Sequence, residues 1–161
     1  MELKIKALSP KLGKEIEYPS YATAGSAGMD LRACIDAPLT LPGQTVLPKP
    51  VGRVAACRVK VPTGLAVAIP EGYVGLIFAR SGLATKFGVA PANCVGVIDS
   101  DYRGEVIVGL SNHSGEDYVI QPGERIAQLV LMPIVQAGIT VVDDLDDTQR
   151  GTGGFGSTGR G

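Results

Sequence analysis

The chain has 161 residues, 45% of them hydrophobic and 19% charged, with a formal net charge of −1. This length and balance predict one domain with a real core and exclude a disordered chain. The near-zero charge, without any basic block, excludes a protein held to nucleic acid by many phosphate contacts, yet leaves room for one nucleotide in a small pocket.

Every apolar run is well short of a membrane span, so no membrane partner is expected. Met1–Ser9 alternates charged and apolar residues and carries no apolar leader core, which points to a cytoplasmic protein. Cys34, Cys57 and Cys94 are odd in number, far apart and without metal-type spacing. They read as small core hydrophobes in a reducing compartment. Twenty-two glycines, eleven prolines and only three phenylalanines accompany many short valine-rich runs, and no stretch sustains a helical period. The predicted class is all-β, a sandwich or barrel.

Leu3–Leu8 (LKIKAL) alternates apolar and polar residues and predicts an opening strand with one wet face. A surface loop follows to Tyr21. In Ala24–Ala33 (AGSAGMDLRA) glycine and serine permit a sharp turn, and Asp30 stands where a strand begins. Asp30 suits either a cap on the turn's backbone donors or a partner for an arginine. Pro42-Gly43 marks a turn, and an apolar run covers Val54–Val61. Pro62-Thr63-Gly64 reads as a further turn, Leu65–Pro70 as a short strand, Pro70-Glu71-Gly72 as a turn and Tyr73–Ala79 as a strand. Arg80-Ser81-Gly82 then ends an apolar strand with a guanidinium, a hydroxyl and a glycine. If Ser81 caps a short helix, its first N–H groups suit a phosphate, which Arg80 can grip bidentately. A plain strand-to-helix joint would use the same residues.

Gly96–Val106 (GVIDSDYRGEV) is the richest stretch. Two apolar runs flank a tip holding two carboxylates, a ring and a guanidinium, which predicts a β-hairpin. A solvated turn and an active loop both fit that composition. The amide of Asn93 offers a donor and an acceptor, matching the edge of a pyrimidine. A straight strand would hold Asn93 and Asp99 about 20 Å apart, too far to serve one nucleoside and its first phosphate. A bend is therefore predicted near Gly96.

Glu105–Ser111 reads as the return strand, and His113 as an exposed, inert loop residue. Gln128 interrupts the apolar run Arg125–Val135 and must find partners, either a ligand or neighbouring backbone. That run is predicted to be a wholly buried strand. Asp143–Asp147 (DDLDD) lacks the spacing of a dedicated calcium loop and reads as a solvated linker. The tail Arg150–Gly161 (RGTGGFGSTGRG) is too glycine-rich for helix or strand. Its lone Phe155, beside hydroxyl and backbone donors, suits a lid that orders over a nucleotide.

Five motifs occur in order: AGSAGMDLRA (Ala24–Ala33), RSGLA (Arg80–Ala84), GVIDSDYRGEV (Gly96–Val106), GERIAQLV (Gly123–Val130) and RGTGGFGSTG (Arg150–Gly159). With them the chain resembles the homotrimeric deoxyuridine triphosphate nucleotidohydrolases, the dUTPases, of bacterial type. The resemblance implies a jelly-roll-like distorted β-barrel over residues 1–149 and a flexible arm over 150–161 that closes a neighbour's site. It implies hydrolysis of dUTP to dUMP and pyrophosphate, which limits uracil in DNA and supplies dUMP for dTMP synthesis. Asp99 then orients and activates the water that attacks the α-phosphorus. Asn93 and the backbone of Val97 and Ile98 read uracil, Tyr102 packs on the deoxyribose, and Ile107 touches the ligand. Arg80, Ser81, Gly82 and Gln128 contact the phosphates. Arg150, Phe155, Gly156 and Ser157 belong to the arm, with Phe155 over the uracil, and Asp30 supports the network. Mg2+ is expected on substrate phosphates and waters, with no direct protein ligand. The tip at Asp99 is expected to face a subunit boundary.

Two departures from the family pattern stand out. About a dozen extra residues lie around Leu47–Arg58, outside all five motifs, and Met29 replaces the usual Tyr or Leu. The alternatives are a dCTP deaminase-like enzyme of the same fold and a non-catalytic nucleotide-binding regulator. The first normally lacks the glycine-rich arm, and intact Asp99, Gln128 and Phe155 argue against the second.

Overall fold

A computed structural model describes residues 1–46, 54–55 and 57–154. Its strands are β1 (Lys4–Ala7), β2 (Gly28–Arg32), β3 (Leu39–Leu41), β4 (Thr45–Val46), β5 (Val54–Ala55), β6 (Arg58–Ala68), β7 (Tyr73–Phe78), β8 (Val89–Pro91), β9 (Gly96–Ile98), β10 (Glu105–Asn112), β11 (Tyr118–Ile120) and β12 (Arg125–Pro133). One short helix, α1 (Ser81–Phe87), sits between β7 and β8. Gly88 ends it in the left-handed region, φ 68°, where its N–H reaches the last helical carbonyls.

Two four-stranded antiparallel sheets, ordered β1-β6-β10-β8 and β2-β12-β7-β9, carry most of the chain, with the pairs β3-β11 and β4-β5 beside them. Alternation along the strands turns Leu31, Leu65, Val67, Val108, Leu110, Ile126 and Leu129 into one shared core, each at most 2% exposed. Burying each of the larger side chains stabilises the fold by about 1.5–3 kcal/mol relative to exposure. The result is the all-β class that the strand spacing predicts, in the jelly-roll-like barrel that the family resemblance implies.

Several expectations need correction. The stretch around Asp99 is not a β-hairpin: β9 pairs with β7, while β10 pairs with β6 and β8. The tip therefore crosses from one sheet to the other, and the two runs that flank it never form a ladder. Pro62-Thr63-Gly64 is not a turn but the middle of the eleven-residue β6. There Gly64, at φ 69°, forms an irregularity in the pairing with β10. Turn residues and bulge residues share the same backbone needs. Of the cysteines only Cys34, half-buried, packs against the core; Cys57 is half-buried and Cys94 is exposed. β12 is buried only in its first half, since Met132 is 45% exposed. The extra segment closes as a two-stranded ribbon, Thr45 opposite Ala55 and Val46 opposite Val54, and residues 47–53 lie outside the described residues.

Candidate active site

The crossing tip opens a cleft between the edge of one sheet and the face of the other. Asn93, Val97, Ile98, Asp99, Tyr102 and Ile107 all line it, together with Glu105 and Pro91. Asn93 reaches it from a tight turn, in which Cys94 N–H donates to Pro91 O at 3.0 Å and Val95 N–H to Asn93 O at 2.7 Å. Cys94 adopts φ 64°, alone among the described non-glycine residues. The bend predicted near Gly96 falls at Cys94, two residues before it. Gly96 serves close packing instead, since a Cβ there would stand 3.0 Å from the Ile77 Cβ.

β9 is an edge strand, so one rim of its N–H and C=O groups is not consumed by the sheet. Val97 is 64% exposed and Ile98 only 5%, so Ile98 turns its side chain to the core and can offer the cleft backbone alone. Asp99 is exposed, and no described side chain or N–H bonds its carboxylate. Its carbonyl accepts the Tyr102 N–H at 3.2 Å, and Arg103 Nη1 donates to Ser100 O at 2.7 Å and Tyr102 O at 2.8 Å. The tip is stiffened by its own backbone, leaving the Asp99 carboxylate free for chemistry. Tyr102 Oη donates to Glu105 O at 2.9 Å.

A second cleft gathers Asp30, Arg80, Ser81, Gly82, Arg125 and Gln128. β2 and β12 set Asp30 opposite Gln128. Asp30 Oδ1 accepts Arg80 Nε at 2.8 Å and Oδ2 accepts Arg125 Nη1 at 3.1 Å. Of the two roles left open for Asp30, it fills that of arginine partner. Arg80 Nη1 also donates to Arg125 O at 3.2 Å. Gln128 resolves toward backbone, its Nε2 donating to Ala79 O at 2.9 Å. Arg80, not Ser81, is the residue at the helix N-cap, and no side chain caps it. The first N–H groups of α1 therefore lack intrahelical partners beside the Arg80 guanidinium, an arrangement suited to an anion.

Behind this cleft, Tyr118 Oη donates to Glu124, whose other oxygen accepts the Gln121 N–H at 2.8 Å. The Phe87 ring leans on Tyr118, centroids 5.0 Å apart. Burial first, then the Glu124 carboxylate, pushes the Tyr118 phenol up to about 12, while the nearby Arg80 charge opposes the shift. This brace fixes the turn that delivers Arg125.

Arg125 was not among the residues expected at the site. Its partner Asp30 lies 95 residues away, and only the β2–β12 pairing reveals it. His113 is exposed as expected, yet its Nε2 lies 2.8 Å from Ser111 Oγ. The Asp143–Asp147 stretch is exposed, irregular chain. Arg150 lines neither cleft and its Nε donates to Gly153 O at 2.9 Å. Phe155, Gly156 and Ser157 lie outside the described residues. The cleft at Asp99 and the cleft at Arg80 share no lining residue.

The dUTPase family model matches residues 14–159. The deoxyuridine 5'-triphosphate nucleotidohydrolase of Paraburkholderia phymatum is 49% identical over 162 residues, covering 99% of each chain. That of Aeromonas hydrophila is 49% identical over 161 residues, 99% of this chain and 97% of its own. Among solved structures, a variant of the Staphylococcus bacteriophage 80alpha dUTPase with dUpNHpp superposes with a TM-score of 0.78 at 27% identity, covering 98% of both chains. A dUTPase variant from phage phi11 of S. aureus, described for its coordination of a structural Mg(II) ion, gives 0.71 at 25% identity over 89% of this chain and 98% of its own. Motifs, fold and full-length similarity agree, and the chain belongs to the dUTPase family.

Proposed function

We propose that this protein is a dUTP diphosphatase that hydrolyses dUTP to dUMP and pyrophosphate, with the nucleoside in the cleft at Asp99 and the phosphates gripped from the cleft at Arg80. One observation carries the reading: an unpartnered carboxylate, an amide, a free strand edge and a phenol ring line a single cleft in a chain of this family.

The free edge of β9 and the Asn93 amide supply fixed donors and acceptors for uracil. Cytosine presents a reversed pattern at the same edge, and a mispaired buried polar group is costly. The Tyr102 ring packs on the deoxyribose and leaves no space for a 2′-hydroxyl, and Ile107 adds an apolar contact. Asp99 accepts a proton from water as its oxygen bonds to the α-phosphorus. The bond to the bridging oxygen breaks, and pyrophosphate leaves with the electron pair. Arg80, the N–H groups of Ser81 and Gly82, and the second N–H of the Gln128 amide, the one not given to Ala79 O, stabilise charge on the phosphate oxygens, while Asp30 and Arg125 keep Arg80 in place.

Magnesium belongs to the substrate. No cluster of three metal-ligating side chains occurs among the described residues, and both oxygens of Asp30 are taken by arginines. This donor set fits Mg2+ carried on triphosphate oxygens and waters, where it neutralises charge.

The separation of the clefts supports a site completed by another copy, in a homotrimer. The segment after β12 supports it too. Val135, Ile139, Val141 and Leu145 are between 87% and 93% exposed on the single chain, an apolar surface that needs a cover. Arg150, Phe155, Gly156 and Ser157 follow that segment and would close over a neighbour's nucleotide. No helix of the described residues is long and apolar enough to cross a membrane.

The test is pyrophosphate release from dUTP, dCTP, dTTP and UTP by the wild type and Asp99→Asn. Strong dUTP preference that disappears in the variant is expected. Ammonia release from dCTP, or full activity in Asp99→Asn, would overturn the reading.

A further inference from the structure

We infer that Gly104 is a specificity-determining position, which fixes the Tyr102 ring as the wall that excludes a ribonucleotide. The inference rests on the proposed placement of Tyr102 against the sugar. Gly104 is not among the glycines with positive φ, so backbone conformation does not demand glycine there. Space does. A Cβ on Gly104 would stand 2.5 Å from Tyr102 Oη, 2.7 Å from Cζ and 3.0 Å from Cε2. Carbon atoms in contact prefer about 3.5–4.0 Å, so any larger residue displaces the ring by roughly an ångström.

The ring must yield because its seat cannot. Tyr102 Oη donates to Glu105 O at 2.9 Å, which ties the ring to the start of β10. The Glu105 carboxylate in turn accepts the Gly64 N–H at 2.8 Å, and Thr63 Oγ1 donates to Val106 O at 2.5 Å. These bonds sit where the β6–β10 register shifts between Glu105 and Ile107. They satisfy backbone groups of the irregular stretch and anchor β10 to buried Thr63 and Gly64. A strand held this way does not retreat from a new methyl group, whereas Tyr102, 45% exposed, can swing outward. Once displaced, the ring loses its bond to Glu105 and no longer stands at a fixed distance from the sugar's 2′ position. Discrimination between deoxyribose and ribose falls.

The experiment is kcat/KM for dUTP and for UTP in the wild type, Gly104→Ala, Tyr102→Ala and the double variant. Gly104→Ala is expected to lower the dUTP/UTP ratio about tenfold or more. Tyr102→Ala is expected to lower it as well, and adding Gly104→Ala to it changes nothing further, because no ring remains to displace. Tyr102→Phe adds no atom and tests the clamp if Gly104→Ala does not fold; an approximately threefold drop in the ratio is expected. An unchanged ratio in Gly104→Ala or in Tyr102→Phe, with collapse in Tyr102→Ala, overturns the inference alone. An effect of Gly104→Ala that persists in full without the ring also overturns it. An unchanged ratio in Tyr102→Ala overturns the placement of Tyr102 itself.

Discussion

Replacing Asp30 by alanine removes the acceptor that both Arg80 and Arg125 share. The Asp30 side chain is 24% exposed, Arg80 26% and Arg125 47%, so the Arg80 bond at 2.8 Å is the stronger of the two. A charged hydrogen bond contributes about 1.5–3 kcal/mol, and an exposed pair about 0–1 kcal/mol. Partial solvation puts Asp30→Ala near the low end, a loss of about 2 kcal/mol, or a fall in Tm of roughly 5 °C for a chain of this size. The effect on turnover should be larger than the effect on folding. Arg80 keeps one bond, to Arg125 O, and its guanidinium is free to leave the phosphate position. Misplacing such a group costs about a hundredfold in kcat/KM. Asp30→Asn retains one acceptor and should fall between the wild type and Asp30→Ala. Steady-state pyrophosphate release, assayed well below the melting transition, measures the loss. The double variant with Arg80→Ala should be no slower than Arg80→Ala alone, since Asp30 acts through that arginine. Fully multiplicative losses, or a Tm drop without a loss of kcat/KM, would refute this assignment.

Tyr118 predicts an alkaline signature. Its folded value of about 12 exceeds the ordinary 10, so its contribution to stability is complete below pH 10 and is lost as pH rises toward 12. Urea unfolding of Tyr118→Phe should show a deficit at pH 9 that shrinks above pH 11; a constant deficit would contradict the brace with Glu124. Gly88→Ala should destabilise by about 2 kcal/mol, because its φ is 68° and a Cβ would stand 2.9 Å from the Ser114 backbone nitrogen. Equilibrium denaturation measures that cost, and a neutral effect would remove Gly88 as the required end of α1.

Local chemistry was legible in the sequence wherever a residue's role depends on near neighbours. The alternation in Leu3–Leu8, the turn at Pro70-Glu71-Gly72 and the strand after it all have their causes within a few residues. The residues around Asp99 were legible as a group because one short stretch carries most of them. Pairing was not legible. Whether the runs flanking Asp99 pair with each other or with β7 and β6 depends on which strand edges the whole barrel leaves open. Arg125 escaped notice for the same reason, since its role exists only once β12 lies beside β2. Gly64 misled because a glycine between apolar runs serves a turn or a bulge equally well. Cysteine exposure was misjudged because composition reports a residue type's habit, not its site.

The central claim is that the halves at Asp99 and Arg80 work together across copies of the chain. The direct measurement is complementation: Asp99→Asn and Arg80→Ala are unfolded together, refolded as a mixture and assayed for pyrophosphate release from dUTP. In a three-fold assembly with shared sites, every mixed trimer contains one site with both residues intact. Random mixing should then restore about a quarter of the wild-type activity, although each variant alone is nearly inactive. Activity no higher than either variant alone would show that both halves come from the same copy, and would contradict the account.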